Sequence, residues 1–167
     1  MKHTLYIVTG LPGSGKTHYG KMLAIEKGAA FIDIDTSTET LVQAAQKALG
    51  EDIDDRDSPL FKDRFRGAIY KTQFQIAAEN LTHTDVVITG PFTKELTNPD
   101  WQNDLERKFG CPIQILYTQC STELIRQRIE KRNNPRDIAK LANWSEYLKY
   151  YGKNRLPRCP YILVNTE

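Results

Sequence analysis

Residues 10–17 read Gly10-Leu11-Pro12-Gly13-Ser14-Gly15-Lys16-Thr17 and satisfy the spacing G-x-x-x-x-G-K-[ST] at every fixed position. Glycines at 10, 13 and 15 let the backbone turn tightly and bring amide groups close to phosphate oxygens. A helix opening near Lys16 adds the positive end of its dipole. Lys16 can neutralise the β- and γ-phosphates, and Thr17 offers a hydroxyl to Mg²⁺. The pattern predicts a site for a nucleoside triphosphate, ATP with Mg²⁺. Gly10, Pro12, Gly13, Ser14, Gly15, Lys16 and Thr17 would form it, with Thr17 as metal ligand. A chance glycine-rich turn would lack the preceding apolar strand and following amphipathic helix seen here. His18, in the first helical turn, reads as an exposed or packing side chain.

A second chemical group follows at Phe31-Ile32-Asp33-Ile34-Asp35. Two carboxylates two positions apart at the end of a strand would point to one side of the sheet. In open α/β sheets ligands bind beyond the carboxyl ends of the strands. A carboxylate there can act as base toward an acceptor hydroxyl or hold magnesium through water. The competing role is helix capping, by Asp35, Thr36 or Ser37.

Basic residues gather between Arg126 and Arg136. Arg128 and Arg132 are four apart on one predicted helix face, where two guanidinium groups repel unless phosphate sits between them. Arginine also stabilises charge on a moving phosphoryl group. The bland alternative is a solvated basic face paired with Glu123 and Glu130.

The elements that must position these groups are legible as five short apolar runs, at residues 4–9, 29–34, 86–89, 113–118 and 161–164. Nearly continuous apolar strands are buried on both faces, as in parallel sheets covered by helices. Helices are predicted over 16–27, 38–49, 59–81, 101–109, 121–132 and 138–151, with Gly28, Gly50, Gly110 and Gly152 as stops. Ser121 is a candidate cap, and Asn133-Asn134-Pro135 an interruption. The expected fold is α/β: a three-layer sandwich with a five-stranded parallel sheet and helices on both faces.

The 167 residues suit one domain, with no repeat or linker to divide them. A net charge of +2 and the lack of an aromatic-basic stripe argue against a nucleic-acid partner. Three scattered cysteines read as reduced thiols in a reducing compartment. Neither a signal peptide nor a run of roughly 18 apolar residues is evident, so a cytoplasmic protein without a membrane span is expected.

With these residues in view, nearly the whole chain resembles the P-loop kinases. More narrowly, it is similar to the small AAA-type ATP-binding proteins grouped with zeta toxins, polynucleotide kinases and chloramphenicol phosphotransferases. The resemblance implies a P-loop NTPase fold over 1–167, with acceptor-side helices in 36–83 and a lid over 126–152. Its D-x-D, matched by Asp33 and Asp35, acts on the acceptor hydroxyl. Its R-x-x-x-R lid is matched by Arg128 and Arg132, with Arg136 and Lys140 in the next turn. Lys16, Asp33, Asp35, Arg128, Arg132 and Arg136 are thus the implied catalytic set. Arg64 and Arg66 flank the acceptor region, and Arg66 is the candidate contact to an anionic substrate. Tyr70 and Phe92 lie in stretches that also look like the group, although core packing explains Phe92 more simply.

Two departures stand out. The third strand has no acid at its end, and Asp85 lies at its start, so metal would rest on Thr17, phosphates, water and Asp33 or Asp35. Asn165 and Thr166 sit where an adenine-contacting loop begins, with no helix after them, which would loosen base selectivity. The leading expectation is a kinase moving the ATP γ-phosphoryl to a hydroxyl of a small-molecule or nucleotide-like acceptor. Alternatives are a regulatory ATPase or switch with no phosphorylated acceptor, and a 5′-hydroxyl polynucleotide kinase.

Overall fold

A computed structural model describes residues 2–151 and 156–167. Strands β1 (Leu5–Gly10), β2 (Ala30–Asp33), β3 (Val86–Thr89), β4 (Ile113–Gln119) and β5 (Ile162–Asn165) form one sheet in the order β2-β3-β1-β4-β5. Every pairing is parallel. The α-helices are α1 (Lys16–Lys27), α2 (Ile34–Ala48), α3 (Pro59–Asn80), α4 (Trp101–Phe109), α5 (Thr122–Arg132), α6 (Ile138–Ala142) and α7 (Trp144–Tyr151). The expected α/β sandwich is the observed one.

Alternation along the central strand shows why both faces must be covered. Leu5 and Ile7 enter one core with Ile88, Ile115, Ala77 and Trp101. Tyr6 and Val8 enter the other with Val87, Leu116, Leu23 and Ala24. Each buried Leu, Ile or Val contributes roughly 1.5–3 kcal/mol relative to exposure, so neither face tolerates water. Helix α1 seats closely because residue 20 is glycine: a Cβ there would lie 2.6 Å from Thr89 Cγ2.

Several boundaries differ from expectation. The second strand ends at Asp33, and α2 starts at Ile34, four residues before the predicted start. Asp33 caps that helix, accepting from the amides of Asp35 and Thr36, so the chain leaves the sheet there. Asp33 and Asp35 are therefore not a strand pair facing one side. The predicted helix over 138–151 is two short helices broken at Asn143, and its proposed stop, Gly152, lies outside the described residues. Ser121 stands at the N-cap of α5 but makes no side-chain cap bond. Its amide and hydroxyl instead donate to the Glu167 carboxylate. Edge strand β5 departs from the doubly buried pattern, with Ile162 and Leu163 about half exposed.

Candidate active site

The β1–α1 loop is held by contacts from below. At Gly10 (φ +145°) a side chain would collide with the Thr118 carbonyl, and only glycine fits both the backbone and the space. Ser14 is fully buried; its hydroxyl pairs with Thr118 Oγ1 at 2.7 Å and its amide donates to Leu11 O at 3.0 Å. Gly10 and Ser14 thus stand beneath the cavity and shape the loop, whereas Pro12, Gly13, Gly15, Lys16 and Thr17 line it. Gly15 is a left-handed N-cap without a side-chain partner, so no side chain occupies the first amides of α1.

Lys16 reaches back over the loop, its Nζ donating to Leu11 O at 2.7 Å. Burial, and then the positive charge of Arg132, lower its pKa to about 8. A phosphate group beside the ammonium would oppose this shift by favouring its charged form.

Asp33 is buried and saturated. Its Oδ2 accepts from Thr89 Oγ1 at 2.6 Å and Thr17 Oγ1 at 3.1 Å, while Oδ1 takes the α2 amides. Gln73, on α3 and fully buried, fixes this corner from behind by donating to Ile32 O and Thr89 O. Asp35, one helical step on, has a side chain more than half exposed in the cavity. The two carboxylates therefore differ in kind: one is a bonded fixture, and the other is available to a ligand.

The arginines converge on the same cavity of about 400 Å³, each with its own partner. Arg128 donates to Thr166 O at 2.6 Å and to Cys120 Sγ at 3.4 Å. Arg132 forms a two-pronged pair with Asp137 at 2.5 and 2.7 Å, so the gap between Arg128 and Arg132 is not where its charge is matched. Arg136 Nη1 lies 3.5 Å from both Asp35 and Glu39. Lys140 meets Asp57 at 3.1 Å and Asp137 at 3.3 Å. Residues 132–140 therefore lean across the cavity onto α2 and the segment before α3. Tyr147 of α7, also buried, donates to Pro12 O at 3.4 Å and ties this layer to the phosphate loop.

Arg66 lines the cavity, and Arg64 is paired with Glu51 away from it. Tyr70 lines the cavity too and rests on Phe92, whose ring is fully buried in the core. Asp85 stays at the opposite sheet edge, accepting from the Thr4 amide. Among the described residues no cluster of three or more His, Cys, Asp or Glu side chains could hold a metal. The hard-oxygen donors at the phosphate loop are Thr17 and Asp33.

Sequence reasoning missed Arg56, Glu39 and Asp137 as site residues, and marked Asp57 only as the head of a stretch resembling the substrate-side helix; all four line the cavity. Asp137 pairs with Arg132 five residues away across a break at proline, a spacing no helical rule anticipates. Burial tends to raise its pKa, but the Arg132 and Lys140 partners prevail and hold it below the usual carboxylate value.

The phosphate loop followed by a helix at the carboxyl ends of parallel strands accords with the comparisons to known proteins. Residues 5–153 match the AAA domain family. The chain belongs to that family. No curated protein sequence matches it. Solved structures share the fold: a proposed kinase from Chloroflexus aurantiacus has TM-score 0.69 at 19% identity, covering 99% of this chain and 89% of its own. A gluconokinase from Sinorhizobium meliloti has TM-score 0.52 at 18% identity, covering 98% and 82%. A shikimate kinase from Bacteroides thetaiotaomicron has TM-score 0.53 at 18% identity, covering 90% and 80%. This AAA domain has the P-loop kinase fold. No helix among its described residues is long and apolar enough to cross a membrane.

Proposed function

We propose that this AAA domain is an ATP-dependent phosphotransferase acting on a hydroxyl of a small-molecule or nucleotide-like acceptor. The observation that carries the reading is a single cavity. It joins the phosphate loop to an available carboxylate, Asp35, under an arginine-rich layer.

The triphosphate lies along the open amides of α1, with Lys16 between its β- and γ-phosphates. Thr17 would hold Mg²⁺, its hydroxyl oriented by the Asp33 carboxylate behind it, and the ion when bound offsets phosphate charge. The acceptor hydroxyl donates its proton to Asp35 as its oxygen forms the new bond to γ-phosphorus. The bond from that phosphorus to the β–γ bridging oxygen breaks, leaving ADP and the phosphorylated acceptor. Asp35 suits this role better than Asp33, whose oxygens already accept several donors. Arg132 and Arg136 supply positive charge to the transferring group, and Arg128 anchors the layer at Thr166.

Acceptor-dependent ADP release tests the reading. ADP release is expected to be slow with water alone and to rise, by transfer to the acceptor oxygen, when the right hydroxyl compound is added. A turnover that no hydroxyl metabolite or 5′-hydroxyl oligonucleotide changes would instead favour a regulatory ATPase.

A further inference from the structure

The acceptor half of the cavity carries a charge imbalance. Asp35 and Glu39 face Arg136, Glu39 also stands 4.0 Å from Arg56, and Asp57 faces Lys140, so Arg56, Arg66, Arg136 and Lys140 outnumber the acids on this wall by one. Two arginines are left short of partners. Arg66 lines the cavity half-buried and makes no ion pair or hydrogen bond with the described residues.

Arg56, on the segment between α2 and α3, is held for presentation. Its Nη1 donates to Gln46 Oε1 at 2.6 Å, Asp55 O at 2.7 Å and Ile53 O at 3.0 Å, and its guanidinium lies 5.1 Å from the Phe61 ring centre. The other terminal nitrogen, Nη2, is buried with no hydrogen-bond partner. The nearest acid, Glu39, stands 4.0 Å away and is shared with Arg136. A buried guanidinium N–H without an acceptor is costly, and an arginine pair is well suited to bidentate capture of an oxyanion. Burial and then the charge of Arg136 press the Arg56 pKa below its ordinary value, so added negative charge is favoured there.

We propose that Arg56 and Arg66 form a subsite for an oxyanion carried by the acceptor, a phosphate or a carboxylate set apart from its reacting hydroxyl. This deepens the phosphotransferase reading and rests on it for the word acceptor, but the subsite can be tested without phosphoryl transfer.

The test loads the full chain with a non-hydrolysable ATP analogue and Mg²⁺, filling the phosphate loop. It then titrates three matched hydroxyl compounds by calorimetry: glycerol 3-phosphate, glycerate and glycerol. At least one anion is expected to bind tenfold or more tighter than glycerol, and which anion leads distinguishes phosphate from carboxylate. Arg66→Gln should remove most of that preference. Arg56→Lys, which keeps the charge and spares the fold from losing it outright, should weaken the preference severalfold. Equal binding of all three compounds, or a preference unmoved by both substitutions, overturns the subsite. If the anion preference appears yet labelled γ-phosphate reaches no acceptor, the subsite stands and the kinase reading falls. Transfer to hydroxyl compounds without anion preference does the opposite: the kinase reading stands and the subsite falls.

Discussion

The two halves of the cavity are built by different physics. The donor half is a matter of backbone: Gly10 and Gly15 in positive-φ conformations, Ser14 and Thr118 bonded beneath, and α1 amides free of side-chain caps. The acceptor half is a matter of side-chain charge: Arg136 across to Asp35 and Glu39, and Lys140 across to Asp57. A backbone nest is preset before ligand arrives and offers one geometry. Ion pairs between partly exposed groups are weak and exchangeable, so that half can yield its partners to a substrate. On the proposed reading, the contrast lets one molecule hold a fixed donor and still admit an acceptor through a layer of arginines.

Substitutions should separate the halves. Lys16→Ala is expected to weaken binding of an ATP analogue about 100-fold, near 2.7 kcal/mol, in calorimetry; unchanged affinity would remove the donor assignment. Asp33→Ala strips the α2 cap and the acceptor of three hydroxyls, and should lower unfolding stability by about 2 kcal/mol in urea titrations. A loss no larger than that of an exposed aspartate would break the view of Asp33 as a fixture.

Raising pH should weaken nucleotide binding by up to about tenfold per unit above pH 8, as Lys16 loses the charge phosphate needs. Stability of the ligand-free chain should move the other way. Lys16 has a lower pKa folded, about 8, than unfolded, 10.5, so the unfolded chain binds more protons between those values. The Lys16 contribution to stability therefore rises with pH across that window. Parallel pH series of affinity and denaturation midpoint check both signs. The smallest effect belongs to the acceptor half. Asp57→Asn, which gives up only the half-exposed pair with Lys140, should cost under about 1 kcal/mol of stability at low salt and nearly nothing at 1 M salt.

How much of this was legible in the sequence follows the same division. The phosphate loop, the five strands and most helix ends were readable because they depend on local rules: fixed glycines, continuous apolar runs, and αL stops at Gly28 and Gly110. Asp33 and Asp35 were found, but their difference was not, because it depends on where the strand gives way to helix. Ile34 looked like a strand residue by composition, and the Asp33 cap overruled it. Arg128, Arg132 and Arg136 were visible, whereas the partners of Arg132 and Arg136 were not. Asp137 lies across a proline break, and Arg56 and Asp57 sit in an acidic turn whose role is set by contacts with distant α2 and α6 residues. Tertiary charge pairing leaves no period to read.

The central claim is that Asp35 faces an acceptor across from a triphosphate. The most direct measurement follows γ-labelled phosphate from ATP into organic products, resolved by mass, for the native chain and for Asp35→Asn over a panel of hydroxyl compounds. Label is expected on a phosphorylated acceptor with the native chain, falling about 10²–10⁴-fold in rate with Asp35→Asn while ATP-analogue affinity holds. Label appearing only as inorganic phosphate, at the same rate in both proteins, would contradict the account.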